Sequence, residues 1–238
     1  MSSRTDAIRA GDGNRLLGHL STRDRRSFTE LCKTVELEFG QVLAEPDEQI
    51  RFVYFPLAAC ISVNAPGGGG VTLEVALIGN EGMLGATLAH SIDSAPLQAL
   101  VQRAGSARRM TAAAFRGALR WSPALRESAL RYSYVLLRQV SQTAACTRYH
   151  PLEARLARWL LMTQDRAGGG AFELTQAYLG RMLGVRRVGV TVAAGALQDR
   201  RLIGYHRGTI VVTNRRGLDA ASCRCYADEA RLYQRTFG

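Results

Sequence analysis

Between Leu174 and Thr213 the apolar positions follow one helical stripe, then a second, then two short strand-like runs. Leu179, Met182 and Leu183 share a helix face. Thr175 precedes them where its hydroxyl can accept a bond from an unpaired first-turn amide. Gly184 interrupts the stripe and allows a sharp turn at low steric cost. Beyond it Val190, Ala193, Ala194 and Leu197 recur at i, i+3, i+4 and i+7, which turns them inward. Leu202-Ile203 and Thr209–Thr213 then read as strands around the polar tip Tyr205-His206-Arg207-Gly208. Two helices joined by a tight glycine-bearing turn make a helix-turn-helix unit. The same spacing leaves Arg186, Arg187 and Thr191 pointing outward near the start of the second helix, flanked by Val188 and Val192. Arginine bonds guanine bidentately and a threonine methyl touches thymine, so this face predicts base reading in the major groove. Gly195 breaks the helical preference at a cost of ~1 kcal/mol against alanine, which close packing on the first helix would explain.

Upstream the period shortens. Val35–Met110 is punctuated by Gly, Pro and Asn, with strands expected at Arg51–Phe55, Cys60–Asn64, Val71–Ile78 and Leu97–Gln102. Short strands at this interval indicate a sandwich or roll. The glycine run after Pro66 leads into a strand and lacks the Lys-Ser or Lys-Thr of a phosphate loop, so it reads as a hairpin tip. From Pro123 to about Arg148 the pattern returns to a helix carrying the stripe Leu125, Ala129, Tyr132, Leu136, Gln139, Val140 and Thr143. A stripe of this kind suits a second copy of the chain, with Gln139 and Thr143 fixing register, or packs onto its own roll. Pro151 ends that helix and forms a hinge. Leu152, Leu156, Trp159, Leu160 and Met162 start a further helix that stops at Gly168-Gly169-Gly170, and Ala220–Phe237 reads as one final helix.

Composition sharpens this picture. The 238 residues allow two modest domains, and the net charge of +11 is unevenly placed. Residues 151–238 carry 14 Arg against 7 acidic side chains, whereas residues 1–150 carry 17 basic against 13 acidic. Such a surface draws phosphate by counterion release, in agreement with double-stranded DNA as partner. No run of eighteen uncharged apolar residues occurs and the first residues are polar, so a cytoplasmic chain with no membrane partner is expected. The five cysteines, an odd number, argue against a disulfide framework. Cys223-x-Cys225 suggests a metal or redox pair, but no His or Cys lies at a familiar zinc spacing. Free thiols, no metal and no cofactor are the expectation. The four His fit no nucleophile–base motif, and no enzyme is expected.

The stretch Leu174–Val212 resembles the Crp/Fnr family of bacterial transcription regulators. The likeness is carried by LT at 174–175, LG at 179–180, Gly184, Arg187, Val190, LQD at 197–199, LI at 202–203 and TIVV at 209–212. The resemblance implies an α+β chain: an N-terminal β-roll similar to cyclic-nucleotide-binding domains over residues 1–121, a dimerisation helix over 122–150, and a winged helix-turn-helix over 151–238. It implies a homodimer on an inverted repeat, with RNA polymerase as a further partner. DNA contacts are expected from Thr175, Gln176, Arg186, Arg187, Val188, Thr191, His206 and Arg207. The family's frequent glutamate after the reading arginine is Val188 here, and a further arginine is Val192, so the DNA site should differ. Where cyclic-AMP-binding members carry a ribose-contacting glutamate this chain has Met83, and Leu97 with Gln98 stand in place of the phosphate pair. Cyclic AMP is therefore not expected through the usual contacts. Another small effector, of unknown identity, has Glu81, Met83, Gln98 and Gln102 as candidate contacts, with His90 and Arg103 nearby. The competing reading is a ligand- or nucleotide-binding interaction module without specific DNA recognition.

Overall fold

A computed structural model describes residues 13–68, 72–167 and 170–238. Two short helices, α1 (Arg15–Gly18) and α2 (Thr22–Glu30), precede strands β1 (Lys33–Leu37), β2 (Val42–Ala44), β3 (Phe52–Pro56), β4 (Cys60–Pro66) and β5 (Thr72–Ile78). A 3-10 turn at Ala86–His90 leads into β6 (Gln98–Arg103) and β7 (Gly105–Thr111). These strands form two antiparallel sheets, ordered β1-β7-β3 and β2-β6-β4-β5. Phe28 of α2, Phe55 of β3 and Phe115 of the helix after β7 meet with ring centroids 5.2–6.5 Å apart in edge-on and tilted arrangements that suit aromatic quadrupoles. The expected roll is thus present, and its glycine-run tip falls partly outside the described residues.

Helix α3 (Ala112–Trp121) closes the roll, and α4 (Pro123–Tyr149) follows after Ser122, whose hydroxyl accepts from the Leu125 amide. Proline at the first position of α4 fits there because that amide has no helical partner anyway. The long helix ends before Pro151, and α5 (Leu152–Ala167) starts directly after it. The last region holds β8 (Phe172–Glu173), α6 (Gln176–Leu183), α7 (Arg187–Asp199), β9 (Ile203–His206), β10 (Thr209–Val212), α8 (Arg215–Ala221) and α9 (Cys225–Phe237). The final helix expected over 220–237 is two helices, broken at Ser222-Cys223-Arg224. Among the described residues no helix is long and apolar enough to cross a membrane.

The stripe on α4 corrects the seam read from sequence. Leu125, Ala129, Tyr132, Gln139 and Thr143 are buried against their own chain, and Leu136 is partly buried there. The polar pair explains why. Gln139 accepts from the Leu77 amide at 2.7 Å and donates to Glu229, while Thr143 receives a bond from buried Arg158 at 3.1 Å. On the other face α4 leaves Tyr134 and Leu137 in solvent, at 51% and 63% exposure, and Tyr149 is exposed at the end of the helix.

Two polar clusters join the roll to the C-terminal helices. In one, the Arg166 guanidinium of α5 pairs with Glu81 and with Glu229 of α9, each at 2.9 Å. Burial alone would lower the Arg166 pKa, but the two carboxylates outweigh it and raise it. In the other, Glu74 of β5 is buried and accepts from Ser62 at 2.6 Å and from the Trp159 indole at 2.7 Å. Burial lifts its pKa from the ordinary 4.5 to about 7, against those two bonds and the charges of Arg158 and Arg166. A raised carboxyl stabilises the fold fully below the unfolded value and loses that contribution as pH climbs through the folded one. Stability should therefore fall from pH 4.5 toward pH 8 by on the order of 3 kcal/mol through this group. Glu74→Gln should flatten that component, as urea unfolding of both proteins at pH 5 and pH 8 would show; equal slopes would contradict it.

Candidate nucleic-acid interface

Helix α6 is built as its sequence requires. Thr175 caps it, its hydroxyl accepting from the Tyr178 amide at 3.1 Å, and Gly184 ends it at φ +64°, in the left-handed region that favours glycine. The amides of Gly184 and Val185 return to the carbonyls of Arg181 and Gly180. Buried Arg155 donates to the Leu183 carbonyl, occupying one of the free acceptors at the helix end. Met182 and Tyr178 turn toward the roll, where Phe39 lies 5.5 Å from the Tyr178 ring. The opposite side of the helix pair is left to solvent.

Helix α7 divides its faces sharply. Val190, Ala193, Ala194 and Leu197 are buried, while Arg186, Arg187, Val188, Thr191 and Val192 are exposed. Val188 and Val192 stand at 72% and 69% exposure, which is high for valine and makes an apolar strip beside two guanidinium groups. The Thr191 hydroxyl donates to Gln176 at 2.8 Å, tying the first residue of α6 to the exposed face of α7.

Gly195 does not serve the packing role expected of it. A Cβ there would meet nothing within 4 Å, whereas a Cβ at Gly180 would come within 2.9 Å of the Val185 carbonyl oxygen. The close approach of turn and first helix thus rests on Gly180. Gly195→Ala is expected to stabilise the chain by about 0.5–1 kcal/mol, and Gly180→Ala to destabilise it by about 1–3 kcal/mol. Thermal unfolding of the two variants checks both signs.

Strands β9 and β10 make a hairpin with a two-residue tip, Arg207-Gly208, at φ +48° and +86°. Positive φ at both central residues is the signature of a type I′ turn, which matches the twist of the strands. Strand β8 completes the small sheet by pairing with β10. His206 and Arg207 are exposed at this tip. Thr175, Gln176, Arg187, Tyr205, Arg207 and Gly208 line one shared surface recess. The eight residues expected to meet DNA therefore lie together on the tip, the start of α6 and the start of α7.

Residues 154–221 match the family model described as the Crp-like helix-turn-helix domain. The chain carries a Crp-like helix-turn-helix domain. About four fifths of the chain shares its fold with solved regulators of low identity. FixK2 from Bradyrhizobium japonicum superposes with a TM-score of 0.68 at 18% identity, over 81% of this chain and 98% of that one. The c-di-GMP-responsive global regulator CLP of Xanthomonas campestris gives 0.65 at 13%, over 81% and 99%. A CRP/FNR-family transcriptional regulator from Thermus thermophilus gives 0.63 at 17%, over 80% and 98%. No curated protein matches the chain in sequence.

Within this Crp-type fold the roll holds a cavity of about 470 Å³. Phe52, Tyr54, Met83, Leu84 and Leu97 line it from the roll, and Leu137 and Val140 from α4. Of the four candidate effector contacts, only Met83 faces it. Glu81 is engaged by Arg166, Gln98 donates to Glu45 at 3.0 Å, and Gln102 donates to Thr163 of α5 at 3.3 Å. Gln98 and Gln102 are an even number of residues apart on β6, so strand alternation puts both on the face away from the cavity. The polar junction of Glu74, Arg166 and Glu229 was missed from sequence. A lone carboxylate inside the apolar run Thr72–Ile78 was the one available signal.

Proposed function

We propose that the chain is a homodimeric transcription regulator that reads an inverted repeat in double-stranded DNA. The supporting observation is the first turn of α7, where Arg186, Arg187, Val188 and Thr191 are exposed while the opposite face is buried. A helix presented this way enters the major groove with its first residues against base edges, and the Arg207 tip lies against the backbone. In this reading residues 1–121 form the sensor roll, 122–150 the dimer helix and 151–238 the reader, and the protein acts in the cytoplasm, with RNA polymerase as a further partner.

The dimer seam in this reading is the solvent face of α4, with Tyr134, Leu137, Ser141 and Ala144 recurring at three- and four-residue intervals. The roll cavity opens beside the same helix, through Leu137 and Val140, so an occupant there touches the seam. Its apolar wall favours an effector with a large uncharged surface, and a cyclic nucleotide phosphate would find poor solvation among Met83 and Leu97. A ligand biases the reader only through unequal affinity for its arrangements. Selection from random duplexes tests the function: enrichment of a two-fold repeat with half-sites about one helical turn apart is expected. Binding indifferent to sequence would overturn it.

A further inference from the structure

The structure brings together four side chains that lie far apart in sequence. Cys146 lies on the last turn of α4, and His150, four residues on, is the residue that caps the helix. Cys223 and Cys225 occupy the break between α8 and α9 and its exit. The Sγ and imidazole donor atoms of all four lie within 4.8 Å of one another. Cys146 Sγ is 3.5 Å from Cys223 Sγ, and Cys225 Sγ is 3.5 Å from Nδ1 of His150. The three cysteines are buried and His150 is half-buried.

We propose that Cys146, His150, Cys223 and Cys225 bind a single zinc ion, which fastens the end of α4 to the start of α9. Three thiolates and an imidazole are a familiar structural zinc set, and four protein ligands leave no open position. A tetrahedral ion at ordinary zinc–sulfur distance spaces its sulfurs about 3.8 Å apart, near the separation found here. An iron–sulfur cluster takes its four thiolates on several iron atoms and needs them further apart.

The surroundings suit the charge of such a site. Three thiolates around a divalent ion leave a net negative charge, and the cations of Arg155 and Arg158 act on Cys146 from α5. Gln142 Nε2 donates to Cys225 Sγ at 2.9 Å, an outer-layer bond of the kind that orients a metal ligand. Arg158 also reaches Thr143 and faces Glu229, so it links the site to the polar junction between roll and reader. His150 precedes Pro151, so the ion would hold the joint from which α5 departs.

Metal analysis of the full-length protein purified under reducing conditions tests this. About one equivalent of zinc per chain is expected, with cobalt(II) exchange giving the thiolate charge-transfer absorption of a tetrahedral site. The doubly substituted Cys223→Ser, Cys225→Ser protein should lose the metal, and Cys32→Ser, away from the cluster, should keep it. The cobalt spectrum of the unsubstituted protein stands even where the double variant folds poorly. Absence of metal together with a Cys146–Cys223 disulfide would overturn the proposal, as would iron with labile sulfide, or zinc retained by the double variant.

Discussion

Arg187→Ala is expected to lower affinity for the selected DNA site about 10- to 100-fold and to relax preference at one position of each half-site. The magnitude follows from the ~1–3 kcal/mol by which a bidentate arginine discriminates among bases. Arg187 is exposed in the first turn of α7, with Tyr205 and Arg207 along the same recess, so truncation removes a reader without disturbing the core. Arg207→Ala should act differently. Its guanidinium stands on the hairpin tip, so its loss should weaken all sequences alike and reduce the salt dependence by about one counterion. Competition binding at two salt concentrations separates the two behaviours. Equal, uniform losses would show that reader and clamp are wrongly assigned.

Arg166→Met should be the most destabilising of the substitutions considered, by about 3–5 kcal/mol, because it takes the cation at 2.9 Å from two buried carboxylates. Glu81 and Glu229 each bond this guanidinium, and Gln139 and the backbone carry the cluster into α4 and the roll. Without this guanidinium the Glu81 carboxylate loses its ion pair and Glu229 keeps only the more distant Arg158, at 3.9 Å. Adding Glu81→Gln and Glu229→Gln should recover much of it, since the repulsive charges are removed with the cation. Denaturant unfolding of the three proteins checks this, and a triple variant no more stable than Arg166→Met would contradict it.

The contrast between these sites shows what sequence carries and what it does not. The helix-turn-helix was legible because its determinants are local: Thr175 caps an amide three residues on, Gly184 turns the chain, and Val190 to Leu197 face inward at one period. Periodicity found the α4 stripe but not its partner, because burial against one's own roll and against a second copy leave the same spacing. Gln139 and Thr143, read as register-setting polar groups in a seam, bond to Leu77, Glu229 and Arg158 instead. Gly195 and Gly180 cannot be told apart by propensity, since only the path of the neighbouring turn makes one of them obligatory. Nor does sequence say which side chains meet the cavity: Leu97, in the bend before β6, lines it, while Gln98 bonds Glu45 instead. The thiol cluster joins residues 146 and 150 to 223 and 225, a separation that no spacing rule spans.

The contact at the centre of the account can be measured with altered bases. Replacing the guanine read in each half-site by 7-deazaguanine removes the N7 acceptor and leaves Watson–Crick pairing intact. Affinities of the unsubstituted protein and of Arg187→Ala for both duplexes complete a double-mutant cycle. A marked loss for the unsubstituted protein, and almost none for Arg187→Ala, is the result expected. Independent, additive losses would mean that Arg187 does not meet that base.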